Sequence, residues 1–432
     1  MGSVIATMFT SLFLLLAGGV WIGIALGLTG MILLAVFRTM PLDKLLPQYA
    51  WNVLTTSELV ALPLFIIMGE ILFRTRLSRS LFDGLAPTMG LLPGRLLHVN
   101  VVGSSIFAAI SGSSAATAQV VGRISLSELD RRGYGRDIAL GSLAGAGTLG
   151  FLIPPSNIMI IYGVLAEVSI LQLFAAGLIP GALLALCFMS WIAIHTSLKR
   201  DLVPESERAL ANLTMRDRLL ALRELAPVVL LIACVLGSMY GGLATPSEAA
   251  AIGVVGALAI SAVQRTLDRE TLRSIALGAV RTCSMIALIV LGASILSNAS
   301  AFLGIPAAIA SFVGGLGLSP YALIAMLILF YLLLGCFLDG FSMIVMSLPI
   351  VLPLIGAAGF DKVWFGVFLV IVVEMSQITP PVGFNLFVIQ GLTGESLGRI
   401  AWVTLPYLVI MAGFAMLMAL VPEIALWLPG ML

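Results

Sequence analysis

Two apolar runs of this chain carry proline pairs that forbid an unbroken helix: GTLGFLIPPS at Gly147–Ser156 and QITPPVGFN at Gln377–Asn385. Proline has no N–H to donate and pushes the preceding residue away from helical geometry, so each run must break near its pair. Inside hydrocarbon a lost backbone hydrogen bond is costly, and a break survives there only if it is buried in protein or lines a wet cavity. The freed carbonyls and the new helix N-terminus then form a ready site for a cation or an anion. The pairs begin at Pro154 and Pro380, one in each half of the chain, so the chain reads as two versions of one device.

Composition places these breaks in a membrane. Of the 432 residues 60% are hydrophobic and 10% charged, with a mean hydropathy of +1.14, far from the balance of a soluble domain. Nearly every long apolar run reaches the roughly 20 residues a helix needs to cross the hydrocarbon, and none alternates as a barrel strand would. The expected fold is an all-α polytopic protein of the bacterial inner membrane, in contact with lipid. A net charge of +1 argues neither for nor against nucleic acid, and no nucleic-acid partner is expected. Cys187, Cys234, Cys283 and Cys336 stand in separate apolar segments without CxxC spacing and read as packing residues. The N-terminus, apolar from Val4 with no basic n-region, reads as a retained first helix.

Basic residues set the topology. Arg95 and Arg123 flank an apolar stretch interrupted by SGSSAAT at Ser111–Thr117, so both its ends belong in the cytoplasm and the segment must enter and return. A second apolar stretch, 319–358, has a polar centre at Leu338–Ser342 and no basic flanks, so it should enter from outside. This arrangement leaves only Arg38, Lys44 and Lys362 of the 22 Lys and Arg outside and puts both termini in the periplasm.

The chain therefore divides into a first repeat over 1–198, a charged cytoplasmic linker over 199–223 and an inverted second repeat over 224–432. The first holds helices at Val4–Ala17 and Val20–Phe37, a loop around Pro41–Pro47, a span at Trp51–Phe73 and an interfacial helix at 77–92. A re-entrant hairpin at 95–123, a broken helix at 136–166 and a return at Ser169–Ile194 complete it. The second holds spans at Leu225–Tyr240, Glu248–Val263 and Ser274–Leu296, then an interfacial helix at 302–316. A hairpin at 319–358, a broken helix at 362–390 and a last span at Ile400–Trp427 follow. The step from hairpin tip to proline pair is nearly the same in both halves, Ser114 to Pro154 in the first and Asp339 to Pro380 in the second. Prolines merely kinking packed helices would not keep that spacing twice, and two oppositely inserted copies are the plan of secondary transporters.

At these residues the sequence resembles the large membrane subunit of the tripartite ATP-independent periplasmic (TRAP) transporters, the DctM-like family. The strings that carry the likeness are SGSSAATA at Ser111–Ala118, AGAGTLGFLIPPSNIMIIYG at Ala144–Gly163 and LFAAGLIPG at Leu173–Gly181. TPSEAAAIGV at Thr245–Val254, GCFLDGFSMIVMSLPI at Gly335–Ile350 and TPPVGFNLF at Thr379–Phe387 join them. Where many of the family carry Thr after the aspartate, this chain has Gly340, which leaves only backbone to act as a ligand there. The resemblance implies the ion-transporter superfamily fold, an elevator-like moving domain and sodium-driven import of an organic anion such as a C4-dicarboxylate or an acidic sugar. It also implies two partners, a small DctQ-like membrane subunit and a periplasmic solute-binding protein.

Sodium prefers hard oxygen donors, and carbonyls with Ser, Thr or Asn oxygens supply them. The first sodium site is expected at Ser113, Ser114 and Thr117 facing Gly147, Thr148 and Pro154. The second is expected at Asp339, Gly340 and Ser342 with Thr379, Pro380, Gly383 and Asn385. An intramembrane aspartate needs a partner, and a cation would serve Asp339. The substrate is expected between the two tips, where Ser113, Ser156, Asn157 and Asn385 offer polar groups beside helix N-termini. Glu58, Glu70, Glu167 and Glu374 read as structural, within reach of an interface or a neighbouring helix.

Three rival readings are weaker. A stand-alone sodium–anion symporter would share the repeat but not the family strings. A primary pump needs a GxxxxGK[ST] phosphate loop, and the chain has no Gly-Lys pair at all. An intramembrane protease needs a second aspartate facing Asp339 or a Ser–His pair at depth, while His98 and His195 sit near basic flanks.

Overall fold

The computed structural model describes residues 1–38, 42–74, 84–204, 214–336, 338–380 and 383–432. Every regular element among them is helical. Six helices are long and apolar enough to cross a membrane among the described residues, and shorter apolar helices pack between them.

The first four helices are α1 (Gly2–Ala17), α2 (Ile22–Phe37), α3 (Leu42–Leu54) and α4 (Ala61–Arg74). Helix α3 replaces the loop expected around Pro41–Pro47. Pro47 lies inside this helix and gives no N–H to its ladder, which weakens the helix there without ending it. The expected span Trp51–Phe73 is not one rod either: Leu46–Leu54 and Ser57–Arg74 meet at 57°. Thr55 and Thr56 lie at the bend, and their hydroxyls donate back to Trp51 O (2.6 Å) and Val53 O (2.5 Å), which competes with the helical ladder. Of the expected interfacial helix at 77–92, the part through 83 lies outside the described residues, and 84–89 is helical.

The next elements are α5 (Leu97–Ser111), α6 (Ser114–Arg132), α7 (Arg136–Gly147), α8 (Asn157–Ala166) and α9 (Ile170–Leu198). The second part of the charged stretch 199–223 is helical, as α10 (Met215–Leu222), because Thr214 and Asp217 form a reciprocal capping box at its start. Then come α11 (Ala226–Tyr240), α12 (Pro246–Val263), α13 (Arg269–Phe302) and α14 (Ile305–Gly315). The chain ends with α15 (Pro320–Leu334), α16 (Gly340–Ala357), α17 (Lys362–Gln377), α18 (Phe384–Thr393), α19 (Leu397–Leu420) and the short α20 (Glu423–Leu426). Helix starts recur in the two halves at a nearly constant offset: Ser114 of α6 matches Gly340 of α16, Arg136 of α7 matches Lys362 of α17, and Ile170 of α9 matches Leu397 of α19 to within one position.

Two packing groups result. Helices α2 and α13 cross so closely that a Cβ on Gly292 would lie 1.9 Å from the Gly23 carbonyl oxygen, and α4, α11 and α12 pack beside them. In the other group α17 is the central rod. Every residue from Val363 to Gln377 is buried, as expected of a helix that is apolar all round. Helix α7 packs against α19, and both hairpin arms α5 and α6 lie against α7. The Trp364 indole N–H donates to Met418 O (2.9 Å), and the Tyr162 hydroxyl donates to Lys362 O (2.6 Å), tying α17 to α19 and α8. The four cysteines are free.

Candidate functional site

The first interruption runs from Thr148 to Ser156, between α7 and α8. In a continuous helix the N–H groups at 154 and 155 would serve the carbonyls of Gly150 and Phe151, and proline removes both donors. The Pro154–Pro155 bond is cis and both prolines are buried. Ser156 restarts the helix as N-cap of α8, its hydroxyl accepting from Met159 N at 3.4 Å.

Against this break sits the tip of the α5–α6 hairpin. Gly112 turns the chain in the left-handed region (φ 54°), and a Cβ there would lie 2.9 Å from Pro155 O. Ser113 then caps α6 by accepting from Ala116 N. Thr117 donates to Ser113 O (2.7 Å) and shares a hydrogen bond with Ser111 (3.1 Å), so the tip is held by its own hydroxyls. Asn157 joins tip to break, its side-chain amide donating to Ser111 O at 3.2 Å. Gly150 comes so near that a Cβ on it would lie 2.4 Å from Ser114 Cα.

Ser114 is the hub of the site. Its Oγ lies 3.0 Å from Gly147 O and 2.8 Å from Glu374 Oε2, and it accepts from Asn385 Nδ2 at 2.6 Å. A hydroxyl has one proton, so Ser114 can donate to only one of the two oxygens beside it. The other carboxyl oxygen, Glu374 Oε1, accepts from the Phe151 N–H at 2.9 Å, taking the donor that the broken helix released. Ser114, Glu374 and Asn385 are all fully buried. Asn385 Oδ1 and Asn157 Oδ1 are buried and accept no hydrogen bond among the described residues. Hard oxygens therefore converge on one dry point from three segments: hairpin tip, α7 end and α17.

The second interruption is arranged differently. Asp339 caps α16 with its own carboxylate, which accepts from Phe341 N (3.1 Å) and, through a short bond, from the Ser342 hydroxyl. Thr379 donates back to Met375 O (2.7 Å), and its carbonyl accepts from Gly383 N (3.0 Å). Pro380 is exposed, and its carbonyl lies 3.6 Å from the Cys336 thiol. The first break meets the second tip at Phe151, whose ring packs edge-on against Phe341 at 5.3 Å and lies close to Gly340.

The first-site residues expected from sequence are thus neighbours: Ser114 touches Gly147, Ser113 and Thr117 share the tip, and Pro154 shapes the break. The Thr148 hydroxyl turns away, donating to Gly145 O at 2.6 Å. Asn385, expected at the second site and in the substrate pocket, donates to Ser114 instead. Glu374 reads as structural from sequence, and geometry makes it the carboxylate at the hub. A signal does exist. The glutamate lies in the fourth turn of α17, which begins at Lys362, about 18 Å along the axis at helical rise and too far to reach the interface from which that helix starts. Glu70, by contrast, pairs with Arg74 at 2.9 Å on a partly exposed face.

A family model described as the DctM component of the tripartite ATP-independent periplasmic transporters matches residues 9–424. The C4-dicarboxylate TRAP transporter large permease protein DctM of Pseudomonas aeruginosa is 34% identical over 412 residues, covering 94% of each chain. The isethionate TRAP transporter permease protein DctMQ of Oleidesulfovibrio alaskensis is 32% identical over 423 residues, covering 96% of this chain and 65% of that one. Among solved structures, the Alcanivorax borkumensis YdaH transporter shares the fold, with a TM-score of 0.60 over 94% of this chain and 96% of that one at 13% identity.

Proposed function

Because this chain belongs to the DctM family of the tripartite ATP-independent periplasmic (TRAP) transporters, we propose that it imports an organic anion across the inner membrane by sodium coupling. It is a multi-pass permease rather than an enzyme. The relatives' names, one a C4-dicarboxylate and one an isethionate transporter, support an organic anion as cargo and leave the headgroup chemistry open. Family membership likewise supports a small membrane subunit and a periplasmic binding protein as partners.

The observation that carries the sodium reading is the hub at Ser114. The Gly147 carbonyl, the Ser114 hydroxyl and a Glu374 oxygen lie together, and Asn385 Oδ1 is buried without a donor among the described residues. A monovalent cation would take up those lone pairs and offset the carboxylate, as hard donors suit a hard ion. The second ion would sit at Asp339, Ser342 and the carbonyls near Thr379. The anion would lie between the tips, near Ser113, Ser156 and Asn157. The α5–α9 and α15–α19 body would move as an elevator against the α2, α4 and α11–α13 group, within two inverted repeats whose termini are periplasmic.

The test is uptake into proteoliposomes holding this chain, the small subunit and the binding protein. Uptake should require all three components and an inward sodium gradient, and Ser114→Ala should raise the half-saturating sodium concentration severalfold. Equal uptake with choline in place of sodium would defeat the coupling.

A further inference from the structure

A cavity of about 470 Å³ lies between α6 and α18. Helix α6 lines it with Ala115, Ala116, Gln119 and Arg123, and α18 lines it with Phe384 and Phe387. The α6 positions recur every three to four residues and so share one face. This face begins one residue after the hub serine. Arg123 lies just over two helical turns beyond Ala115, about 12 Å along the axis. The cavity is thus a groove leading from the hairpin tip to a guanidinium.

Arg123 is exposed and forms no ion pair among the described residues. Its neighbours in the chain are occupied: Arg131 and Arg132 pair with Glu128, and Arg136 pairs with Asp130 and Glu395. A guanidinium presents a planar fork of donors that matches a carboxylate or sulfonate, and Gln119 adds an amide one turn nearer the tip. Across the groove Phe384 and Phe387 are 50% and 41% exposed, a flat apolar wall for a carbon skeleton.

We propose that this groove is a second anion subsite, in which Arg123 and Gln119 hold the acidic group of the transported organic anion between the tip and the cytoplasm. The inference rests on the transport reading above. A topology signal needs only positive charge at position 123, which lysine also has. The groove asks for more, because its donors must fork. An anionic lipid headgroup has the same chemistry, but a groove that begins at the tip favours the cargo.

The experiment measures binding of succinate, isethionate and N-acetylneuraminate to the two-subunit membrane complex in nanodiscs, in sodium, for the wild type, Arg123→Gln, Arg123→Lys and Gln119→Ala. The wild type should bind at least one of the three. Arg123→Gln should weaken that binding about tenfold, the scale of one lost charge-assisted hydrogen bond. Arg123→Lys should restore it only in part, Gln119→Ala should weaken it less than Arg123→Gln does, and sodium-dependent thermal stabilisation should stay as in the wild type. Wild-type affinity in Arg123→Gln would overturn the subsite and leave the transport reading standing, whereas no binding of any of the three by the wild type would overturn both. Full restoration by lysine would reduce Arg123 to a topology charge and overturn the subsite. The nanodiscs are made with and without anionic lipid, and an effect of Arg123→Gln seen only with anionic lipid would assign the groove to a headgroup and overturn the proposal.

Discussion

The two interruptions share a backbone plan and differ in their wiring. At the first, the hairpin tip is closed by side chains from the other half of the chain: Glu374 and Asn385 reach Ser114 across 260 and 271 residues. At the second, the polar groups serve their own segments, Asp339 with Phe341 and Ser342, and Thr379 with Met375. By the offset that relates α7 to α17, the first-half counterpart of Glu374 is Thr148, whose hydroxyl stays on its own helix at Gly145. One tip is thus cross-linked and dry, the other self-contained and partly open. The first tip takes hydrogen bonds from the opposite half, and the second touches that half through the Phe151 ring.

Replacing the cross-link should have the largest effect. Glu374→Leu leaves the Phe151 N–H buried without an acceptor and takes a partner from Ser114. Orphaning one buried donor costs about 1–3 kcal/mol, so the melting temperature should fall by several degrees and uptake to background. Glu374→Gln should recover much of the stability, because an amide accepts from Phe151 and donates to Ser114, while sodium activation stays impaired if the charge matters. Thermal melts and uptake on the same preparations read both. A Leu variant as stable as the wild type would erase the contrast between the two tips.

Asp339→Ala should come next. It removes the N-cap of α16, which costs about 0.5–2 kcal/mol and strands no buried donor from another segment. Stability should fall less than in Glu374→Leu, yet sodium activation of uptake should weaken if Asp339 holds the second ion. A melt as damaged as that of Glu374→Leu would show that the second tip is braced as firmly as the first.

What is legible in the sequence follows from how local each constraint is. Pro154, Pro155 and Pro380 break helices through their own geometry, and Gly112 and Ser113 mark a turn and a cap at adjacent positions, so breaks and tips can be placed by reading along the chain. The meeting of Ser114 with Glu374 depends on packing between segments far apart in sequence, which no local pattern encodes, and the same holds for Asn385. The bend at Thr55 and Thr56 shows a middle case. Those hydroxyls are visible in the sequence, but the apolar run around them looks long enough to span, and their back-bonding to Trp51 and Val53 prevails.

The smallest effect, and the sharpest test of the self-contained tip, is Thr379→Val. The Thr379 hydroxyl donates back to Met375 O in the last turn of α17, and its carbonyl is already used by Gly383 N. Valine has nearly the same shape and leaves that carbonyl in place, so the melt should shift by no more than the roughly 0.5–1.5 kcal/mol of one replaceable hydrogen bond. If the second ion takes only backbone oxygen from this residue, the half-saturating sodium concentration should stay within about twofold of the wild type, and a tenfold rise would correspond to about 1.4 kcal/mol of lost binding. Sodium titrations of uptake decide between these outcomes. A large rise would mean that the hydroxyl turns from Met375 to the ion on binding, so that the open tip rearranges its side chains where the closed one has them already in place.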